Sequence, residues 1–231
     1  LYVIGVPIGS PDDLSLRART LLRRVEVVAT EDPQATQRLL SHHRITATLT
    51  SYGPTHIEGK VRILIDRLKA GASVALVSDC GMPVISDPGD RLIAAAHQEE
   101  IPIRSIPGPS AATAALAASG FPADAFHLYG SLPSRRDALA RRLPDILAHT
   151  HPVVLLCPPG SAITLLAEIA RSAPRRQLAV ACNLSLPTES LYRGSAKQVC
   201  RRFAHTTLPD ATTLVIAGQT KKKRRTHPRS G

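Results

Sequence analysis

Three stretches concentrate the residue types that shape a binding site. They are GVPIGSPDD at residues 5–13, SDCGMPVISDPG at 78–89 and IPGPSAATAALAASG at 106–120. Gly9 and Gly81 let backbone approach a bound molecule closely, and Pro7, Pro83, Pro88, Pro107 and Pro109 fix φ before any ligand arrives. Ser110 stands ahead of the helix-forming AATAALAAS, where its hydroxyl can cap exposed amides or hold a ligand's polar edge. Each loop alone is also what a tight strand-to-helix connection requires; three of them at the ends of apolar runs describe a rigid cradle. The standard nucleotide loops are absent. No GxGxxG follows the first apolar run and no GxxxxGK[ST] occurs, which argues against a dinucleotide site or a P-loop. There is no GxSxG elbow of an α/β-hydrolase either.

A second group is cationic. In SRRDALARR, Arg135, Arg136, Arg141 and Arg142 fall on a broad face of a helix, where the plain alternative is a solvated surface. The formal charge is +11, and the last eleven residues, KKKRRTHPRSG, carry six of the basic side chains and no acid. Such a tail can neutralise phosphates and is too short and polar to fold alone, so 221–231 is expected to be disordered. Aromatic residues make up 3% of the chain and Trp is absent, so any RNA contact would rest on phosphate pairing and shape rather than base stacking. Cys80, Cys157, Cys182 and Cys200 show neither a CxxC pair nor zinc-ligand spacing with His. Reduced thiols fit a cytoplasmic location, as does the lack of a membrane-length apolar run or an opening signal segment.

These loops need a scaffold. Short β-branched runs such as LYVIGV, EVVAT and SVALVS alternate with amphipathic stretches such as IEGKVRILIDRLKAG, the pattern of an α/β fold with a mostly parallel sheet covered on both faces. Ligands in such sheets bind beyond the carboxyl ends of the strands, which is where the three loops fall. The second half has five strand candidates (FHLYGSL, PVVLLC, QLAVAC, ESLYRG, TTLVIAG) against three helices, so its sheet is expected to be mixed. Gly120 and Pro122 punctuate the pattern, and the expected domains are 1–121 and 122–220, followed by the tail.

The segments LYVIGVPIGSPDDLSLRA, ATEDPQATQRLLSH, ALVSDCGMPVISDPGDRLIAAA and IPGPSAATAALAASGFPADAFHLYGSLP closely resemble the tetrapyrrole methylase superfamily. The likeness is greatest to its ribosomal RNA branch, in order from about residue 1 to 133 and more weakly to about 218. The resemblance implies a homodimeric two-domain α/β methyltransferase that uses S-adenosylmethionine to methylate a cytidine 2′-hydroxyl in 16S ribosomal RNA of the small ribosomal subunit. It implies cofactor contacts at Pro7, at Asp79, Cys80, Gly81, Met82, Pro83, Val84 and Ile85, and at Ser110 and Ala111. In the second half it implies contacts at Leu156, Cys157, Ala181, Thr212 and Thr213. Arg135 and Arg136 keep the basic loop expected to meet substrate.

The chain also departs from the family pattern. Glu31, Asp32, Pro33 and Gln34 replace EDTR, and residues 51–56 replace SYHEHN. Residues 157–161 replace ESPHR and residues 182–186 replace RELTK, which removes acids, basic side chains and a histidine. No catalytic base is assigned; His56 and Glu189 are candidates. The alternatives are a methyltransferase with another acceptor, such as a tetrapyrrole, and a non-catalytic paralogue that keeps the fold.

Overall fold

The computed structural model describes residues 1–219 apart from 54, 134, 205 and 207; the basic tail lies outside the described residues. The chain divides into two compact units. The first comprises Leu1–Ala114 with Leu184–Thr188, the second Ala115–Asn183 with the residues from Glu189 onward.

In the first unit, β1 (Tyr2–Ile4), β2 (Val27–Thr30), β3 (Leu49–Ser51), β4 (Val74–Leu76) and β5 (Arg104–Ile106) form a wholly parallel sheet in the order β3-β2-β4-β1-β5. The helices are α1 (Leu16–Leu22), α2 (Pro33–His42), α3 (Ile57–Lys69), α4 (Asp90–Gln98) and α5 (Ala111–Ser119), and the boundary between the units falls inside α5. Alternate strand residues serve opposite faces. Val27, Ala29, Val74 and Leu76 pack against Val61, Leu64, Leu92 and Ala96 of α3 and α4, while Val28 and Ala75 pack with Ala18, Leu22 and Leu40 of α1 and α2. Burial on both faces explains why the central strands β1, β2 and β4 are mainly apolar, while the edge strands β3 and β5 carry Thr50, Ser51, Arg104 and Ser105. Because β1 lies between β4 and β5, the loops leaving these three strands meet, although about a hundred residues separate the first from the last.

In the second unit, β6 (His127–Tyr129), β7 (Val153–Cys157), β8 (Gln177–Cys182), β9 (Ser190–Ser195) and β10 (Thr212–Ile216) are ordered β6-β7-β10-β8-β9. Only β6 and β7 are parallel; the other pairs are antiparallel. Its helices are α6 (Arg136–Ala148), α7 (Ala162–Ser172) and α8 (Ala196–Arg202). Leu139, Leu143 and Ile146 of α6, Leu165, Leu166 and Ile169 of α7 and Val199 of α8 close over Val153, Leu155, Val180 and Leu214. The expected α/β class, with a parallel first sheet and a mixed second one, is the fold observed.

Candidate functional site

The cradle of the first unit is built where β1, β4 and β5 end. Gly5 N–H donates to the Ile106 carbonyl at 2.9 Å, and Val6 and Gly81 exchange backbone hydrogen bonds of 2.9 and 3.2 Å. These bonds draw the three loops so close that a Cβ on Gly5 would stand 2.7 Å from the Gly108 backbone and 2.5 Å from Met82 Sδ. Only glycine fits at such a crossing. Gly81 itself has φ +76°, with Ile8 Cγ2 and the Pro109 carbonyl 3.6 Å from its missing Cβ.

The loop between β4 and α4 is held from inside. The buried Ser78 hydroxyl lies 3.2 and 3.1 Å from the carbonyl oxygens of Cys80 and Gly81, which share its one proton. Gly89 caps α4 without a side chain, and the fully buried Tyr52 hydroxyl substitutes by accepting the Leu92 N–H at 3.1 Å. Val84 and Ser86 take φ of +76° and +68°. For a β-branched residue that conformation costs roughly 1–3 kcal/mol, a strain that the surrounding contacts must offset. Pro7 and Pro83 are buried, Met82, Ser110 and Ala111 half-buried, and Ile85 exposed. The wall is apolar, and its polar groups are mostly backbone.

Asp79 is engaged with the protein: its Oδ1 accepts the Asp32 N–H at 3.1 Å, while Asp32 Oδ1 caps α2 through Gln34 and Ala35. Close to Asp79 are two acids that the sequence reasoning did not single out. Burial, followed by the charges of Asp87 and Asp79, pushes Glu31 up to about 7. Burial and then Asp79 push Asp87 up to about 6, against a hydrogen bond with Ser78 that lowers it. Oε1 of Glu31 is buried and has no hydrogen-bond partner among the described residues. Near neutral pH this carboxylate can both hold and release a proton. The available clue was position: Glu31 follows β2 as the three loops follow their strands.

In the second unit the strand register assembles residues far apart in sequence. Thr212 pairs with Cys157 on one side and Cys182 on the other, and Thr213 pairs with Leu156 and Ala181. Leu156, Cys157, Ala181, Thr212 and Thr213 thus occupy two adjacent rows at one end of the sheet. Beside them is a cavity of about 290 Å³ lined by Leu132, Leu139, Leu156, Cys157, Pro159 and Leu165 among others. Burial pushes the Cys157 thiol up to about 12, so it is a neutral, apolar part of that wall.

The arginine group divides among different partners. Arg135 forks onto Asp137 at 3.2 and 3.1 Å, which Arg141 also reaches, and Arg142 lies 5.9 Å from the centre of the Tyr129 ring. Arg136 Nε donates to Glu168 at 2.5 Å. His56 is exposed at the start of α3 with φ +55°, and Glu189 is exposed just ahead of β9.

The model of the tetrapyrrole (corrin/porphyrin) methylases matches residues 1–200. The chain belongs to this family. Its membership makes it a methyltransferase, as the loop sequences implied. The chain is 37% identical over 94% of its length to a ribosomal RNA small subunit methyltransferase I from Micromonospora olivasterospora, covering 70% of that protein. It is 32% identical to the protein of that name from Thermotoga maritima, over 95% of this chain and 98% of the other. Among solved structures it superposes with TM-score 0.61 and 21% identity on uroporphyrin-III C-methyl transferase from Thermus thermophilus complexed with S-adenosylhomocysteine, over 94% and 96% of the two chains. At that identity the likeness speaks for the fold.

Proposed function

We propose that this tetrapyrrole methylase family member is an S-adenosylmethionine-dependent methyltransferase acting on a cytidine 2′-hydroxyl of 16S ribosomal RNA, as a homodimer in the cytoplasm. The near end-to-end likeness to the ribosomal RNA small subunit methyltransferase I from Thermotoga maritima carries this reading. No described helix is long and apolar enough to cross a membrane.

The residues suit the cofactor. A sulfonium cofactor carries no phosphate, and the first unit presents a pinched backbone crossing, an apolar wall from Met82 to Ile85 and nearby carboxylates rather than a phosphate loop. Pro7, residues 79–85, Ser110 and Ala111 would hold it there; for the second unit, the family resemblance implies cofactor contacts at Leu156, Cys157, Ala181, Thr212 and Thr213. When bound, S-adenosylmethionine supplies an activated methyl group. The chain's part is to orient the acceptor hydroxyl and take its proton. We assign the second task to Glu31, whose unpartnered Oε1 and raised pKa suit a base working near neutrality. Arg135 and Arg136 would meet the RNA backbone.

The decisive experiment incubates the protein with tritiated S-adenosylmethionine and unmethylated small ribosomal subunits, then digests the RNA to nucleosides. Label in 2′-O-methylcytidine is expected. Label in another nucleoside would change the acceptor, and cofactor binding without transfer to RNA or a tetrapyrrole would favour a non-catalytic paralogue.

A further inference from the structure

The interior of α7 carries one charge. Glu168 is 2% exposed, between the core residues Leu165, Leu166 and Ile169. Its Oε1 accepts Arg136 Nε at 2.5 Å, and its Oε2 accepts Arg171 Nε and Nη2 at 3.0 and 2.6 Å. The two guanidinium groups that satisfy it are themselves 75% and 58% exposed.

Stability alone is a poor account of this arrangement. A buried carboxylate paid for by arginines is often no more stable than an apolar residue of similar volume. What it does achieve is orientation. Two long side chains from different helices are held on one carboxylate, with Nη1 and Nη2 of Arg136 and Nη1 of Arg171 making no other hydrogen bond among the described residues. Two guanidinium cations against one carboxylate leave a net positive charge at the surface. Planar N–H groups fixed in this way match phosphate oxygens at a reduced entropic cost. The fork also has a fixed relation to the cavity of the second unit: the cavity-lining Leu139 and Leu165 are each one helical turn from the paired Arg136 and Glu168.

We infer that Arg136, Glu168 and Arg171 form a clamp for a backbone phosphate of the RNA substrate, with Glu168 the positioning residue and Arg171 a substrate contact. This rests on the RNA methyltransferase reading. Phosphate is favoured over acidic protein because the proposed substrate is RNA and the groups left to meet it are guanidinium N–H donors held in place by Glu168.

The test compares wild type with Arg171→Gln, Arg171→Lys and Glu168→Gln, measuring affinity for small-subunit ribosomal RNA at several salt concentrations. Arg171→Gln should raise Kd about tenfold near 0.15 M salt and flatten the log–log salt dependence by about 0.7–0.9, the signature of one lost phosphate contact. Arg171→Lys should keep most of the slope but bind more weakly, because a point charge replaces the fork. Glu168→Gln should raise KM for RNA while calorimetry shows an unchanged Kd for S-adenosylmethionine; if this variant fails to fold, the exposed Arg171 decides the matter alone. Wild-type slope and affinity in Arg171→Gln would overturn the clamp. Equal losses toward poly-glutamate and RNA would overturn the assignment to phosphate. Failure of the parent reading shows differently, as absence of methyl transfer by the wild-type protein.

Discussion

Gly5 and Gly108 stand back to back, with a Cβ built on Gly108 falling 2.6 Å from the Gly5 carbonyl carbon. The contact is backbone against backbone, so neither side can yield by changing rotamer. Gly108→Ala is expected to destabilise the protein by about 1–3 kcal/mol in urea unfolding. It should also weaken S-adenosylmethionine binding by more than tenfold, because the β1, β4 and β5 loops must separate. An unchanged calorimetric Kd would show that this crossing does not shape the cofactor site.

With Glu31 near 7, the base form dominates above neutrality. Activity at saturating substrate should therefore rise with pH between about 6 and 8. Glu31→Gln should lower kcat by about 10²–10⁴ and remove that limb of the profile. A pH profile unaltered in Glu31→Gln would exclude it as the proton acceptor.

The same shift has a consequence for stability. A carboxyl whose folded pKa lies above its unfolded value favours the folded state at low pH, and that contribution is lost as pH rises through about 7. Glu31→Gln should thus melt higher than wild type at pH 8, with the gap closing toward pH 5. A lower Tm for the variant at pH 8 would contradict the burial and repulsion around Glu31.

Tyr52→Phe removes the acceptor for the buried Leu92 N–H and nothing else of comparable size. Leaving that donor unpaired should cost about 1–3 kcal/mol. Faster hydrogen exchange should be confined mainly to the first turn of α4 and the loop before it. A loss below about 0.5 kcal/mol would mean that the amide finds another partner.

Gly9 faces the segment Leu184–Thr188, which lies between β8 and β9 in sequence but packs with the first unit. A Cβ on Gly9 would collide with the Leu184 carbonyl oxygen and stand 2.8 Å from Ser185 Oγ, which accepts the Ser10 N–H at 2.9 Å. Gly9→Ala should release this strap, seen as proteolytic cleavage at 184–188 at least tenfold faster. Ser185→Ala should produce a smaller change in the same direction.

Much of this was legible in the sequence. Periods of two and about 3.6 residues are local, so the alternation of strands and helices, the parallel first sheet and the mixed second one followed from the order of residues alone. So did the family, because loops such as SDCGMPVISDPG are contiguous. The tertiary structure decided which distant residues meet. Placing β1 between β4 and β5 brings Gly5 against Gly108, and the register of β10 puts Thr213 between Leu156 and Ala181. It also decided the electrostatics. Glu31 is one acid among many in the sequence until burial and the charges of Asp79 and Asp87 raise its pKa, and only the fold leaves Glu168 2% exposed against Arg136 and Arg171. Desolvation and Coulomb interaction depend on neighbours in space, which no local pattern in the chain encodes.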